Sequence, residues 1–106
     1  MIKDYCYLYL TCEDTREAAK IAGKLLEKRL IVCAKHVQIK AKYWWKNQIV
    51  DGEEILLIME SSLDLFDKVE EEISKLHSYD TFVLEAVPIA AVSTKAKNWM
   101  EENIHG

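Results

Sequence analysis

The segment Tyr5–Cys12 carries bulky side chains on both of its alternating tracks, and no other stretch limits the fold as much. Tyr5, Tyr7 and Tyr9 fall on one track, and Cys6, Leu8, Leu10 and Cys12 on the other. Successive side chains of a strand point to opposite faces, so this strand needs cover on both sides. The run Ile55 to Met59 is apolar at every position and makes the same demand. With 106 residues the chain is about one domain long, and its helices can cover one face of a sheet. A second apolar face would lie open, which soluble monomers rarely tolerate. The open face is therefore expected to meet further copies of the chain in a homo-oligomer.

The remaining pattern places helices and strands around that first strand. Asp14 or Thr15 can cap a helix whose stripe is Ala18, Ile21, Ala22, Leu25 and Leu26, giving way near Arg29. An apolar run, Leu30 to Ala34, leads into strict alternation. Val37, Ile39, Ala41, Tyr43 and Trp45 fall on one side, and Gln38, Lys40, Lys42 and Trp44 on the other. The segment KNQIVDG, Lys46 to Gly52, is expected to turn, with Asp51-Gly52 as its strongest signal, and the strand Ile55 to Met59 follows, so the two strands can form a long hairpin. Ser61 or Ser62 is expected to cap a second helix with the stripe Leu63, Phe66, Val69, Ile73 and Leu76. Thr81 to Ala91 reads as a fourth strand, broken or at an edge near Pro88, and a third helix runs from about Ser93 to Asn103. The order β-α-β-β-α-β plus a C-terminal helix fits a ferredoxin-like α+β two-layer sandwich, here one domain over 1–106. A different α+β sandwich with the same order fits the pattern as well.

Composition narrows the function classes. Charged residues make up 30% of the chain with a net charge of −4, in mixed signs rather than blocks, so nothing suggests a nucleic-acid stripe or a basic membrane face. The N-terminus lacks a signal-peptide pattern and no stretch reaches the ~18 apolar residues of a membrane span, which points to a mature, soluble, cytoplasmic protein. Three cysteines without regular spacing form no disulfide framework. Cys6 and Cys12 share a strand face about 20 Å apart, too far to hold one ion within a subunit. No local motif fixes a nucleophile beside a base, and the three glycines form no phosphate loop, so the chain is not expected to be an enzyme. Cys33 and His36, three apart on a strand, face opposite sides.

The segments RLIVCAK, KAKYWWKNQI, EEILLIM, LHSYD and NWM, in this order and spacing, resemble the CutA family of divalent-cation tolerance proteins. The resemblance runs from the first strand to Trp99. It implies a ferredoxin-like subunit in a tight homotrimer, with sheets packed against each other. It also implies a protein of metal-ion response, with copper or another divalent cation as the ion, since thiolate and imidazole donors suit copper. His77 matches the family histidine and Cys33 a family cysteine. Another family cysteine falls at Leu10, and Cys12, two residues on along the same face, is the candidate replacement, facing His77 of another subunit. His77 also suits the C-terminal end of a helix, where it would interact with the helix dipole.

Several positions depart from the family pattern. Lys35 stands where the family has Asn, Glu60 and Ser61 replace Lys-Thr, Ser78 and Phe82 replace prolines, and Ala96 replaces Tyr. The scaffold is kept while the chemistry of the inter-subunit cleft changes; Lys35, Trp44, Glu60, His77, Tyr79 and Trp99 are the residues expected there. Tyr5, Tyr7, Tyr9, Tyr43 and Trp45 are expected to pack in the core or the trimer interface. Trp44 either covers the lysine face at the next subunit or lines the cleft. Besides metal tolerance, a small-molecule-sensing trimer comparable in architecture to PII-type proteins and a non-catalytic anchoring scaffold both suit such an assembly.

Overall fold

The computed structural model describes residues 2–105. Its strands are β1 (Tyr5–Cys12), β2 (Cys33–Trp45), β3 (Gln48–Ser62) and β4 (Leu84–Pro88); its helices are α1 (Thr15–Glu27), α2 (Phe66–Ser74) and α3 (Thr94–Asn103). The strands form one sheet in the order β2-β3-β1-β4, and every neighbouring pair is antiparallel. This is the ferredoxin-like arrangement, with α3 added at the end of the chain.

Register explains the two tracks of β1. Cys6, Leu8, Leu10 and Cys12 face Ser61, Met59, Leu57 and Ile55 across the β1–β3 pair, and all four are fully buried. Ala18, Ile21 and Leu25 of α1 and Val69 and Ile73 of α2 join them in the main core. Leu26, expected on the α1 stripe, is 41% exposed, because helix rotation carries it off the core face. On the other sheet face, Tyr7 and Tyr9 lie opposite Glu60 and Ile58 and are only half-buried. Tyr5 alone of this track is buried: it packs in a second cluster with Val32 and Met100 of α3, and its hydroxyl donates to Glu101 Oε1 at 3.0 Å.

Local caps fix the ends of α1. The Asp14 carboxylate accepts the Glu17 N–H at 2.8 Å, and the Glu17 carboxylate reaches back to the Glu13 N–H at 2.9 Å. This is a slightly shifted capping box, an arrangement in which losing the N-cap costs about 1 kcal/mol. At the other end Arg29 takes a left-handed conformation, φ 61°, while the N–H groups of Arg29 and Leu30 bond the carbonyls of Leu26 and Leu25. These bonds form a Schellman motif with arginine in the place usually held by glycine.

The hairpin turns at the start of the expected segment, Lys46 to Gly52, rather than at Asp51-Gly52. Lys46 and Asn47 both have positive φ, 49° and 62°, and Trp45 pairs with Gln48, so the turn is a two-residue hairpin loop of the I′ kind. Asp51-Gly52 lies within β3. A side chain at Gly52 would place its Cβ 3.3 Å from the Tyr43 hydroxyl; the glycine makes room for that ring rather than for a turn.

Ser61 is buried in the core, its hydroxyl donating to the Leu30 carbonyl at 2.7 Å, and Ser62 makes no capping bond. A 3-10 turn, Leu63–Leu65, intervenes before α2 and buries Leu65, while Leu63 is left exposed. β4 is confined to Leu84–Pro88 because only these residues have register partners on β1, Leu10 back to Cys6.

Candidate functional site

β1 ends at Cys12, where its pairing with Ile55 is the last contact of the β1–β3 ladder. Beyond that point β2 and β3 continue as a two-stranded arm, which gives the molecule its longest dimension of 45 Å. Three segments converge at the base of the arm: the end of β1, the first turn of α1, and the chain leaving α2. They bring together one thiol, one carboxylate and one imidazole. Donor atoms of Cys12, Glu17 and His77 all lie within 4.8 Å of one another.

The imidazole and the carboxylate are both held by backbone groups. His77 Nδ1 can only accept the Tyr79 N–H, 3.0 Å away, since an amide N–H has nothing to accept with. The ring proton therefore sits on Nε2, which donates to the Thr11 carbonyl at 2.8 Å. The His77 side chain is fully buried, stacked on Phe82 with ring centroids 5.3 Å apart and tilted against Tyr79 at 4.8 Å. Glu17 Oε1 accepts from the Glu13 N–H and lies 3.7 Å from His77 Nδ1, and Oε2 accepts the Ser78 N–H at 2.7 Å. Burial by itself would raise the Glu17 pKa, but the bonds from Glu13 and Ser78 and the nearby imidazole hold it below the usual carboxylate value. Burial, reinforced by the charges of Glu17, Glu54 and Asp14, pushes the Cys12 thiol up to about 12, so it is protonated at neutral pH. The Tyr79 hydroxyl donates to Glu54 Oε2 at 3.0 Å, tying this segment to the foot of the arm.

The other candidates lie elsewhere. Cys33 sits opposite Glu60 while Cys12 sits opposite Ile55, five β3 residues away, or about 17 Å along the strand. Cys33 is thus separated from the donor cluster, and its neighbour is Lys35, whose ammonium lies 3.8 Å from the sulfur and 2.6 Å from Glu60 Oε1. Cys12 meets His77 of its own subunit rather than needing a second one. The residues expected in one cleft divide within a subunit: Lys35 with Glu60, His77 with Tyr79, Trp44 near the arm tip at 70% exposure, and Trp99 on α3, 46% exposed. Tyr43 and Trp45, on the arm, are 42% and 57% exposed and are not part of the subunit core, because no helix extends over the outer hairpin.

Glu17 was not among the residues selected from the sequence. Its signal is the Asp14-x-x-Glu17 spacing of a capping box directly after β1, which sets a carboxylate at the strand end beside Cys12.

Residues 6–103 match the family model of the CutA1 divalent ion tolerance protein. A divalent-cation tolerance protein CutA from Thermotoga maritima is 35% identical over 97 residues, covering 92% of this chain and 96% of that one. The structure of a protein described as the periplasmic divalent cation tolerance protein CutA from Archaeoglobus fulgidus superposes with a TM-score of 0.92 at 31% identity, over 95% of this chain and 99% of the other. CutA1 from Oryza sativa gives 0.93 at 25% identity, over 98% and 96% of the two chains. The match therefore takes in the sheet, the helices and the arm together, and the chain belongs to the CutA family of divalent-cation tolerance proteins.

Proposed function

We infer that this chain works as a homotrimeric, non-catalytic divalent-cation tolerance protein of the cytoplasm, responding to metal ions and taking up copper or a related ion. The observation that carries the assembly is the half of the molecule left uncovered. Tyr7, Tyr9, Leu56 and Ile58 form a half-buried apolar sheet face, continued by an arm bearing exposed Tyr43, Trp44, Trp45 and Ile49. Copies of the chain packing sheet to sheet would cover this surface, and each arm could then reach a neighbour. In such an assembly the separated groups Lys35–Glu60, His77–Tyr79, Trp44 and Trp99 could gather between subunits. Sedimentation equilibrium tests this directly: a species of three 12.3 kDa chains supports the reading, and a monomer at micromolar concentration overturns it.

The metal half of the proposal rests on the donors at the base of the arm. Thiol, imidazole and carboxylate are the ligand types of copper and zinc sites, and their mutual distances suit a single ion. Cys12, Glu17 and His77 would hold the ion, which would supply positive charge to a largely buried site. Titration of metal-free protein with copper under reducing conditions, against a competing chelator, tests this half. Saturation at a whole number of ions per trimer supports it, and weak, unsaturable uptake refutes it.

A further inference from the structure

The cluster at the base of the arm is closed at rest, and one hydrogen bond closes it. A histidine ligand needs one ring nitrogen for the ion, and the other commonly donates its N–H to a carbonyl or carboxylate that fixes the ring. Here the supporting half exists: His77 Nε2–H donates to the Thr11 carbonyl at 2.8 Å. The nitrogen left for an ion is Nδ1, on the side facing Glu17 Oε1 at 3.7 Å. That lone pair is taken by the Tyr79 N–H at 3.0 Å. The Glu17 oxygens also accept N–H bonds, from Glu13 and Ser78, but a carboxylate oxygen has a second lone pair and can ligate while it accepts. Among the described residues, the bond from the Tyr79 N–H to Nδ1 is the one around the three donors that must break for an ion to enter.

That bond is mechanically linked to the arm. The same residue whose amide blocks Nδ1 sends its hydroxyl to Glu54 Oε2 on β3. Cys12 and the His77 side chain are fully buried and the Glu17 side chain is 11% exposed, so the thiol and the imidazole are screened from solvent while the segment is in place.

Building on the metal reading above, we propose that Cys12 Sγ, the Glu17 carboxylate and His77 Nδ1 form a gated site for a soft or borderline metal ion, with the Tyr79 N–H as the gate. Uptake displaces that amide from the imidazole and loosens the tie between Tyr79 and the foot of the arm. The chemistry is ligand exchange without electron transfer. Cys12 gives its thiol proton to solvent as the sulfur–metal bond forms, Glu17 enters as the carboxylate, and His77 keeps its Nε2 proton on Thr11. Because a proton leaves on binding, affinity rises with pH.

The test uses the full chain in its native assembly, loaded with Cu(I) under reducing conditions against a chromophoric chelator, and with Zn²⁺ in parallel. Amide hydrogen exchange is followed with and without metal. We expect one ion per chain, affinity weaker by about 10- to 100-fold in Cys12→Ala and Glu17→Gln, and faster exchange at the Tyr79 amide on loading with the β1 amides unchanged. Unaltered β1 exchange in the metal-free variants shows that they remain folded. Tyr79→Phe keeps the amide gate but removes the hydroxyl's tie to Glu54, so it should bind more tightly than the wild type, and loading should no longer alter exchange around Glu54. Saturable binding that survives both Cys12→Ala and Glu17→Gln, or that leaves the Tyr79 amide as protected as before, overturns the gated site while metal uptake by the protein stands. Failure of the wild type to bind either ion overturns metal uptake itself.

Discussion

The two halves of β3 are one strand in two different environments. From Ile55 to Ser62 it lies between β1 and β2, and Ile55, Leu57, Met59 and Ser61 are buried under the helices. From Gln48 to Glu54 its only sheet partner is β2, and the aromatic side chains opposite lie in the open. A two-stranded hairpin is marginal by itself in water, whereas a four-stranded sheet with a helix-covered face is stable. The inner half is built for the subunit and the outer half for whatever the subunit meets. Both halves contain long apolar residues; cover, rather than hydrophobicity, distinguishes them.

Substitutions in each half should separate these roles. Leu10→Ala, in the fully buried inner layer, should cost about 2–5 kcal/mol at any protein concentration, read from denaturant midpoints. Trp45→Ala should show a cost approaching ~3–5 kcal/mol only when the chain is concentrated enough to assemble. An equal, concentration-independent loss from both would erase the distinction. His77→Ala, at the junction, strips partners from the Thr11 carbonyl and the Tyr79 N–H, at about 1–3 kcal/mol for each group left buried and unpaired. Its effect should appear first as faster amide exchange in residues 77–82, with the arm turn unchanged.

Glu17→Gln is a smaller, pH-dependent probe of the same junction. The folded-state pKa of Glu17 is depressed, so its stabilisation is present above the unfolded value of ~4.3 and is lost as pH falls through the folded value. The wild type should therefore be more stable than Glu17→Gln at pH 7, with the gap narrowing as pH falls below about 4. A gap independent of pH would mean that the charge is not what matters. The smallest effect belongs to the arm tip. Replacing Lys46-Asn47 with Asn-Gly suits two positive-φ positions and should raise stability by up to about 1 kcal/mol, read from melting temperature.

The inner half was legible in the sequence and the outer half was legible only in part. Alternation in Tyr5–Cys12 separated the two faces of β1 without saying which one the helices cover, while the stripe Ala18, Ile21, Ala22 and Leu25 identified the core face of α1, since burial there is decided by period. Tyr43 and Trp45 obey the same period, yet lie beyond the reach of any helix, and period does not report how far a covering layer extends. Asp51-Gly52 misled because glycine serves both turns and close ring approach, and the actual turn uses lysine and asparagine. The resemblance identified His77, but its partners come from the ends of three elements separated by up to 66 residues, a convergence that no local spacing encodes. Cys33, joined to Cys12 and His77 by ligand chemistry alone, is separated from them by strand register.

The left-handed Arg29 at the end of α1 makes a joint between two helices far apart in the chain. Its guanidinium donates to Asn103 Oδ1 at 2.9 Å, and its carbonyl accepts the His105 N–H at 3.1 Å. The end of α1 is thus fastened to the end of α3, 74 positions further along the chain. Replacing Asn103 by alanine would therefore loosen the joint between the first helix and the third, while the cap of α1, made by the amides of Arg29 and Leu30, stays in place.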